Sequence, residues 1–328
     1  MNILITGGAG YIGSHTCKHL AQQGHTVVVY DNLSTGWKDL VKWGPFVHGD
    51  IRDTQRLRQA MRRHKADGVI HFAAKAAVGE SVVNPAKYFS NNVTGTLCIL
   101  EAMRDEGVRH IVVSGTCAVY GEPERVPISE ASPTCPVNPY GASKLFMERM
   151  LADFETAHDL RWMSLRYFNA AGCDPDGETG ERHDPETHLI PNILRAAKGE
   201  IPALALFGDD YPTPDGTCIR DYVHVCDLAR AHALALEYLA KGGQSMPINL
   251  GSEKGFSIKE LLAAAEQIIG RPVPYAIAGR RPGDPPRLVA DAARAKIVLQ
   301  WEAAQSDVAF ILRTAWNWAR LDAPAPSA

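Results

Sequence analysis

Tyr140 and Lys144 stand four residues apart in Tyr140-Gly-Ala-Ser-Lys144. On a helix, residues at that spacing share a face, which brings an ammonium within reach of a phenol. Such a pair can move protons. A free phenol ionises near pH ~10, so exchange near neutrality needs about 4 kcal/mol of extra stabilisation of the phenolate. Lys144 is one source, and Asn138-Pro139 reads as a helix start that sets Tyr140 in the electropositive first turn. The pair alone is a common pattern on solvated helices, so its surroundings decide whether it does chemistry.

The chain opens with an apolar run, Asn2 to Thr6, then Gly7-Gly8-Ala9-Gly10-Tyr11-Ile12-Gly13 and a helical pattern to Leu20. Strand, glycine turn and helix in that order form a dinucleotide cradle, here GxxGxxG rather than GxGxxG. Gly7, Gly10 and Gly13 permit the tight turn, the approach of backbone to a pyrophosphate and close helix packing, and the helix N-terminus at Tyr11 and Ile12 faces the phosphates. A second apolar run ends at Asp31, 18 residues past Gly13, where a carboxylate accepts from the adenosine ribose and repels a 2′-phosphate. NAD is therefore expected over NADP. Its oxidised nicotinamide would add a second cation beside Tyr140.

Composition narrows the class. With 328 residues, 45% of them hydrophobic, the chain can bury two lobes. A net charge of −3 without long basic runs argues against a nucleic-acid surface. No apolar stretch approaches the ~18 residues of a membrane span, and a strand starting at residue 2 leaves no room for a signal peptide, so a cytoplasmic enzyme is expected. Seven cysteines without CxxC spacing read as reduced thiols. Cys218, His224 and Cys226 lie close in sequence, as do His183, Asp184, Glu186 and His188. Neither set has zinc-finger spacing, and no metal is expected.

Alternating apolar runs and helical patterns predict a doubly wound parallel α/β fold. Strands are expected at 2–6, 26–30, 45–48, 68–72, 110–114 and 161–167, with helices starting near 12, 54, 88 and 140. Beyond Tyr167 the texture turns to polar loops rich in Gly, Pro and Asp, which predicts a smaller α/β lobe for substrate. The expected division is 1–168 for the cofactor, with a returning segment near 220–245, and 169–328 mainly for substrate. Residues 323–328 read as a frayed tail.

Taken together, the glycine turn with Ser14-His15-Thr16, Tyr140-x-x-x-Lys144 and Arg166-Tyr167-Phe168-Asn169 resemble the extended short-chain dehydrogenase/reductase family. Within it the chain is most similar to the UDP-glucose 4-epimerase branch. Supporting segments include Gly49-Asp50-Ile51-Arg52, His71-Phe72-Ala73-Ala74, Asn91-Asn92-Val93, Leu206-Phe207-Gly208, Arg220-Asp221-Tyr222-Val223-His224 and Asn249-Leu250-Gly251. The resemblance implies a Rossmann-type fold, tightly held NAD, a UDP-sugar substrate, and inversion of C4 through a 4-keto sugar with Tyr140 as acid and base.

It also implies residue roles. Thr116 would bridge the sugar 4′-oxygen and the phenol, a task suited to a hydroxyl. Gly7, Gly10, Tyr11, Ile12, Gly13, Asp31, Asn32, Asp50, Ile51, Phe72, Ala73, Asn92, Lys144 and Tyr167 map to cofactor positions. Asn169, His188, Leu189, Ala205, Phe207, Arg220, Arg281, Asp284 and Leu288 map to the nucleotide-sugar pocket. Phe207 can stack on a base, and two arginines suit a diphosphate. Relatives pair through helices near 88–104 and 140–157, which implies a homodimer.

Three departures from the family pattern stand out. Lys75 is displaced by one position after the His-Phe-Ala strand, His188 stands where many relatives carry asparagine, and Leu288 is intermediate where size sets the room for the sugar 2-substituent. UDP-glucose and UDP-galactose are the expected pair, with N-acetylhexosamine, uronate and pentose sugars open. A 4,6-dehydratase would need an acidic pair after Thr116, where Cys117-Ala118 stands. A non-catalytic NAD sensor could dispense with Tyr140, Lys144 and Thr116, yet all three are kept.

Overall fold

The computed structural model describes residues 1–281 and 284–322. The expected tail at 323–328 lies outside the described residues. The first half alternates strands and helices: β1 (Asn2–Thr6), α1 (Tyr11–Gln22), β2 (Thr26–Asp31), β3 (Phe46–His48), α2 (Thr54–His64) and β4 (Gly68–His71). Helices α3 (Val78–Val83) and α4 (Pro85–Tyr88) lead through one π turn, Phe89–Thr94, into α5 (Gly95–Glu106). Strand β5 (His110–Ser114), helix α6 (Pro139–His158) and strand β6 (Arg161–Tyr167) come next.

Local chemistry sets these boundaries. Asn138 caps α6 by accepting from the Gly141 N–H at 2.8 Å, with Pro139 at the first helical position. Asp53 caps α2 through the Arg56 N–H, and Gly107 ends α5 in the left-handed conformation that glycine adopts freely. The single helix expected from residue 88 is instead split. Pro85 starts a new turn after Asn84, and the π turn rotates α5 relative to α4.

In the second half, β7 (Asn169–Ala171), α7 (Leu189–Lys198), β8 (Leu204–Phe207), β9 (Ile219–His224), α8 (Val225–Ala240) and β10 (Met246–Leu250) come first. Then come β11 (Gly255–Ser257), α9 (Ile258–Ile269), β12 (Tyr275–Ala278), β13 (Arg287–Leu288), α10 (Ala293–Leu299) and α11 (Val308–Leu321).

Seven strands form one sheet in the order β10-β6-β5-β4-β1-β2-β3, and every pairing in it is parallel. The fold is therefore a Rossmann-type α/β sheet, with β10 returning to it from beyond residue 169. One face buries Leu20 of α1, Leu228 and Leu236 of α8 and Trp301 in a common core. The other buries Leu57 of α2, Ile99 and Met103 of α5, and Leu151 of α6. A second core joins Ile193, Leu206, Leu261, Ile311 and Trp318 under β8, β12 and β9.

One stripe of α1 fastens the two cores together. The Tyr11 hydroxyl donates to the Gly172 carbonyl, Ser14 meets Thr179 hydroxyl to hydroxyl at 2.6 Å, and the Lys18 ammonium reaches Asp174 at 2.8 Å, Asp176 at 2.7 Å and Glu178 at 2.7 Å. Spacing of three and four along a helix puts these side chains on one line.

Beneath β5 and β6, Glu148 and Arg166 form a buried ion pair. Glu148 also accepts from the Ser164 hydroxyl at 2.7 Å, while Arg166 donates to the Tyr120 hydroxyl at 2.9 Å. Removing one partner strands a charge that the fold has already desolvated. Glu148→Ala is expected to lower the unfolding free energy by about 3–5 kcal/mol in urea titration, and Glu148→Leu with Arg166→Met to recover most of it. A loss under about 1 kcal/mol, the range of an exposed pair, would contradict this account.

Candidate active site

Because the strands of the sheet are parallel, their carboxyl ends share one edge, and the loops leaving them carry the candidate cofactor and catalytic residues. Thr6 leads into the glycine turn at the end of β1. Gly7 has φ +78°, and a Cβ there would stand 2.5 Å from the Ala73 nitrogen. A Cβ on Gly13 would lie 2.2 Å from the Gly7 carbonyl oxygen. Both positions are closed to any side chain. Gly10 differs, since its Cβ would meet only the Gly7 oxygen, at 3.3 Å. Its missing side chain leaves the outer face of the turn open to a phosphate approaching the first N–H groups of α1, at Tyr11 and Ile12. The turn thus fits a dinucleotide.

Asp31 ends β2 with both carboxylate oxygens engaged. Oδ2 accepts from the Ala9 N–H at 3.1 Å and Oδ1 from the Leu33 N–H at 2.8 Å. Burial raises its pKa, and those two donors oppose the rise. Each oxygen keeps a second lone pair for a ribose hydroxyl. Asn32 donates to Asp50 at 3.0 Å, and Arg52 grips the same carboxylate at 2.9 and 2.8 Å, which holds Asp50 well below the usual carboxylate range. Ile51 lies buried under Gly95, where a Cβ would come within 2.4 Å of it.

At the end of β4, the Phe72 and Ala73 N–H groups both donate to the Thr6 carbonyl, at 2.8 and 3.1 Å. Asn92 sits on the π turn, fully buried. It accepts from the Lys75 N–H at 2.8 Å and donates to the Lys75 carbonyl and the Ser143 hydroxyl, each at 3.0 Å. It therefore ties the loop after β4 to α6. Tyr167 ends β6 and bonds its hydroxyl to that of Ser114. Phe72 and Tyr167 also both pack against the His232 ring, with centroids 4.6 and 6.1 Å away.

The proton-transfer pair takes an arrangement that corrects the sequence-based expectation. The Lys144 ammonium donates to the Ser114 carbonyl at 2.8 Å rather than to the phenol. Burial lowers its pKa to about 7, an effect that Glu148, one turn along α6, partly opposes. The Tyr140 phenol is pushed up to about 12 by burial, with the Thr116 hydroxyl pulling the other way and Cys117 adding to the rise. Desolvation outweighs the helix N-terminus because Lys144 is buried and Tyr140 half-buried between α6, the end of β5 and Tyr88, whose ring meets Tyr140 edge-on at 6.5 Å. Thr116 caps the turn after β5 by accepting from the Ala118 N–H at 3.2 Å.

A second group gathers at β8, β9 and β13. Phe207 lies under the Arg281 guanidinium at 4.0 Å, and Ala205 shares its face of β8, two residues away. Arg220 is buried, pairs with Asp284 and donates to the Ile219 carbonyl at 2.8 Å. Leu288 stands opposite Arg220 in the β13–β9 register, and Asn169 donates to the Asp221 carbonyl at 3.3 Å. An aromatic plate beside two guanidiniums suits a base carrying a diphosphate. His188 and Leu189 start α7, where the His188 ring turns to Glu186 and Glu181 instead of toward this group.

Asp221 is a residue the sequence reading missed. Fully buried, it accepts from the Ser252, Glu253 and Ala290 N–H groups at 2.8, 3.1 and 3.1 Å and from the Ser252 hydroxyl at 2.6 Å, tying β9 to the loops after β10 and β13. Its signs in the sequence were a carboxylate within the strand Ile219–His224 and its place in the Arg220–His224 segment, neither of which gave it a role.

Comparison with known proteins finds relatives of the same fold over nearly the whole chain. The profile of the NAD dependent epimerase/dehydratase family covers residues 3–251. The chain is 51% identical to a UDP-glucose 4-epimerase of Halalkalibacterium halodurans, over 97% of this chain and 95% of that one. The crystal structure of a Brucella ovis UDP-glucose 4-epimerase in complex with NAD superposes with a TM-score of 0.95 at 53% identity, covering 96% and 97% of the two chains. A Stenotrophomonas maltophila UDP-glucose-4-epimerase structure with bound NAD and formylated UDP-arabinopyranose also gives 0.95, at 43% identity and 98% coverage of both.

The Lys144 environment has a measurable consequence. An unfolded lysine stays protonated to about pH 10.5, whereas the folded one releases its proton from about 7, so the unfolded chain binds more protons across that window. Stability contributed at this site should rise with pH, approaching about 1.4 kcal/mol per pH unit, and Lys144→Met should remove that slope. Urea unfolding of both proteins at pH 7 and pH 9 tests it, and parallel pH dependences would contradict a desolvated ammonium.

Proposed function

The chain belongs to the NAD dependent epimerase/dehydratase family, and on that premise we propose that it is an isomerase that interconverts UDP-glucose and UDP-galactose by inverting C4 of the sugar. The observation that carries this reading is the convergence of Tyr140, Thr116 and Lys144 on the carboxyl edge of the sheet that also bears the glycine turn and Asp31. Relatives named as UDP-glucose 4-epimerases, half identical over nearly the whole chain, support the substrate.

In this reading Tyr140 takes the proton of the 4′-hydroxyl and returns it after the sugar has turned over about its link to UDP. Thr116 lends its hydroxyl to both oxygens, and Lys144, one turn along α6 and held by the Ser114 carbonyl, contributes positive charge to the site. NAD, when bound, would supply the hydride acceptor and donor for C4 and a positive charge near the phenol. Gly7, Gly10, Gly13 and the first turn of α1 hold its pyrophosphate, and Asp31 its ribose. Phe207, Arg220 and Arg281 hold the uridine diphosphate, so that only the sugar moves. The Stenotrophomonas relative bound to a UDP-pentose keeps such sugars as a second substrate class to assay.

Residues 1–168, with α8 and β10 returning to the sheet, hold the cofactor, and 169–328 mainly hold the nucleotide sugar. The chain pairs as a homodimer through α5 and α6. Exposed Leu97 and Phe146 on those helices, with Val82 and Val83 beside them on α3, support this. Cytoplasm is the proposed compartment, in keeping with the absence, among the described residues, of any helix long and apolar enough to cross a membrane.

The direct test is to incubate the purified protein with UDP-galactose and no added cofactor and to follow UDP-glucose by NMR. Product is expected, and none even after NAD is added would overturn the substrate assignment. Tyr140→Phe should lower turnover by about 10²–10⁴-fold with NAD binding retained, whereas near-normal turnover would remove the phenol from the mechanism. Asp31→Ala should weaken NAD binding and narrow the gap to NADP in a binding titration, and an unchanged preference would take Asp31 out of the site.

A further inference from the structure

Glu181, His183, Glu186 and His188 each turn one donor atom toward a common point, and the four atoms lie within 4.8 Å of one another. His188 Nδ1 is 2.9 Å from Glu186 Oε1 and 3.3 Å from Glu181 Oε1. His183 Nδ1 is 3.3 Å from Glu186 Oε2 and 3.5 Å from Glu181 Oε1. Four ligands at ~2.0–2.1 Å around a tetrahedral ion are separated by ~3.3 Å, the scale of these distances. Hydrogen bonding serves Glu186, whose Oε1 also accepts from the Thr187 and His188 N–H groups at 2.8 and 2.7 Å, better than it serves Glu181, which the imidazoles approach only at 3.3 and 3.5 Å. Each imidazole aims a single nitrogen at carboxylates of two different residues, and one N–H cannot satisfy both.

The charge balance favours the same conclusion. Both carboxylates are buried, with side-chain exposures of 5% and 8%. The neighbouring Arg182 is committed to Asp39 and Asp322. A nearby cluster shows the alternative, since Asp174, Asp176 and Glu178 converge in the same manner but around the ammonium of Lys18. Among the described residues, no lysine or arginine makes an ion pair with Glu181 or Glu186. A cavity of about 420 Å³ lined by Glu181, His183, Glu186 and Trp318 gives access from solvent.

We propose that Glu181, His183, Glu186 and His188 form a binding site for one divalent first-row transition ion of the zinc type. Two imidazoles with two carboxylates suit such an ion better than calcium or magnesium, which prefer oxygen alone. Its place in the fold assigns it a structural task. His188 stands at the position just before α7, and His183 lies edge-on to Tyr11 of the glycine turn, with ring centroids 6.2 Å apart. A bound ion would fasten the 181–188 loop across the start of α7 and against the cofactor turn.

The full-length protein, stripped with a chelator, would be equilibrated with Zn2+, passed over a desalting column and analysed for metal. In parallel, Co2+ would be added and its visible d–d absorption recorded. One zinc per chain and the bands of four-coordinate cobalt are expected, both lost in a His183→Ala/His188→Ala double variant. Glu181→Gln, nearly isosteric, should weaken zinc binding at least about tenfold, a loss that even outer partners of metal ligands produce. Circular dichroism melting identifies a double variant that fails to fold, in which case Glu181→Gln decides. No zinc retained by the wild type, or equal retention in the folded variants, would overturn the site.

Discussion

The parallel direction of all seven sheet strands is the constraint on which the molecule depends. Parallel pairing sends every crossover helix back to the opposite edge, so Thr6, Asp31, His48, His71, Ser114, Tyr167 and Leu250 all end their strands on one side. The loops leaving those ends therefore meet along that one edge. Had one central strand been reversed, the glycine turn and the β5 turn would stand a strand length apart. Close backbone contact holds the edge together. The Phe72 and Ala73 N–H groups donate to the Thr6 carbonyl, and the bare α-carbon of Gly7 lets β4 pass there.

Burial at that edge sets the electrostatics of Tyr140 and Lys144. Within the chain alone, desolvation holds each away from its charged form, the phenol at about 12 and the ammonium at about 7. An environment that resists charge makes any charge brought close to it count for more, since Coulomb interactions strengthen as water is excluded. On the proposed mechanism, a proton acceptor becomes competent when the positive cofactor is held beside it and stays protonated otherwise. The Ser114 carbonyl, which accepts from Lys144, and the Ser114 hydroxyl, which meets Tyr167, orient this group from behind.

Much of this was legible in the sequence because it rests on local pattern. Apolar runs punctuated by Gly7, Gly10 and Gly13 specify a strand, a turn and a helix within twenty residues, and Asp31 ends the next strand. Asn138-Pro139 marks the start of α6 by capping chemistry alone. The features that escaped depend on partners far along the chain. The π turn that buries Asn92 arises from its bonds to Lys75 and Ser143, the direction of Lys144 from a carbonyl 30 residues earlier, and the role of Asp221 from N–H groups at 252, 253 and 290. Glu181 carried no motif, yet it converges with His183, Glu186 and His188 once the loop folds.

The central claim is that C4 is inverted by removal and return of the same hydrogen inside one enclosed site. Following UDP-galactose deuterated at C4 through conversion in ordinary water tests it most directly. The account predicts UDP-glucose that keeps its deuterium at C4, with none released to solvent. Deuterium lost to water would mean that the C4 hydrogen leaves as a proton, and it would contradict the assignment of Tyr140 to the hydroxyl alone.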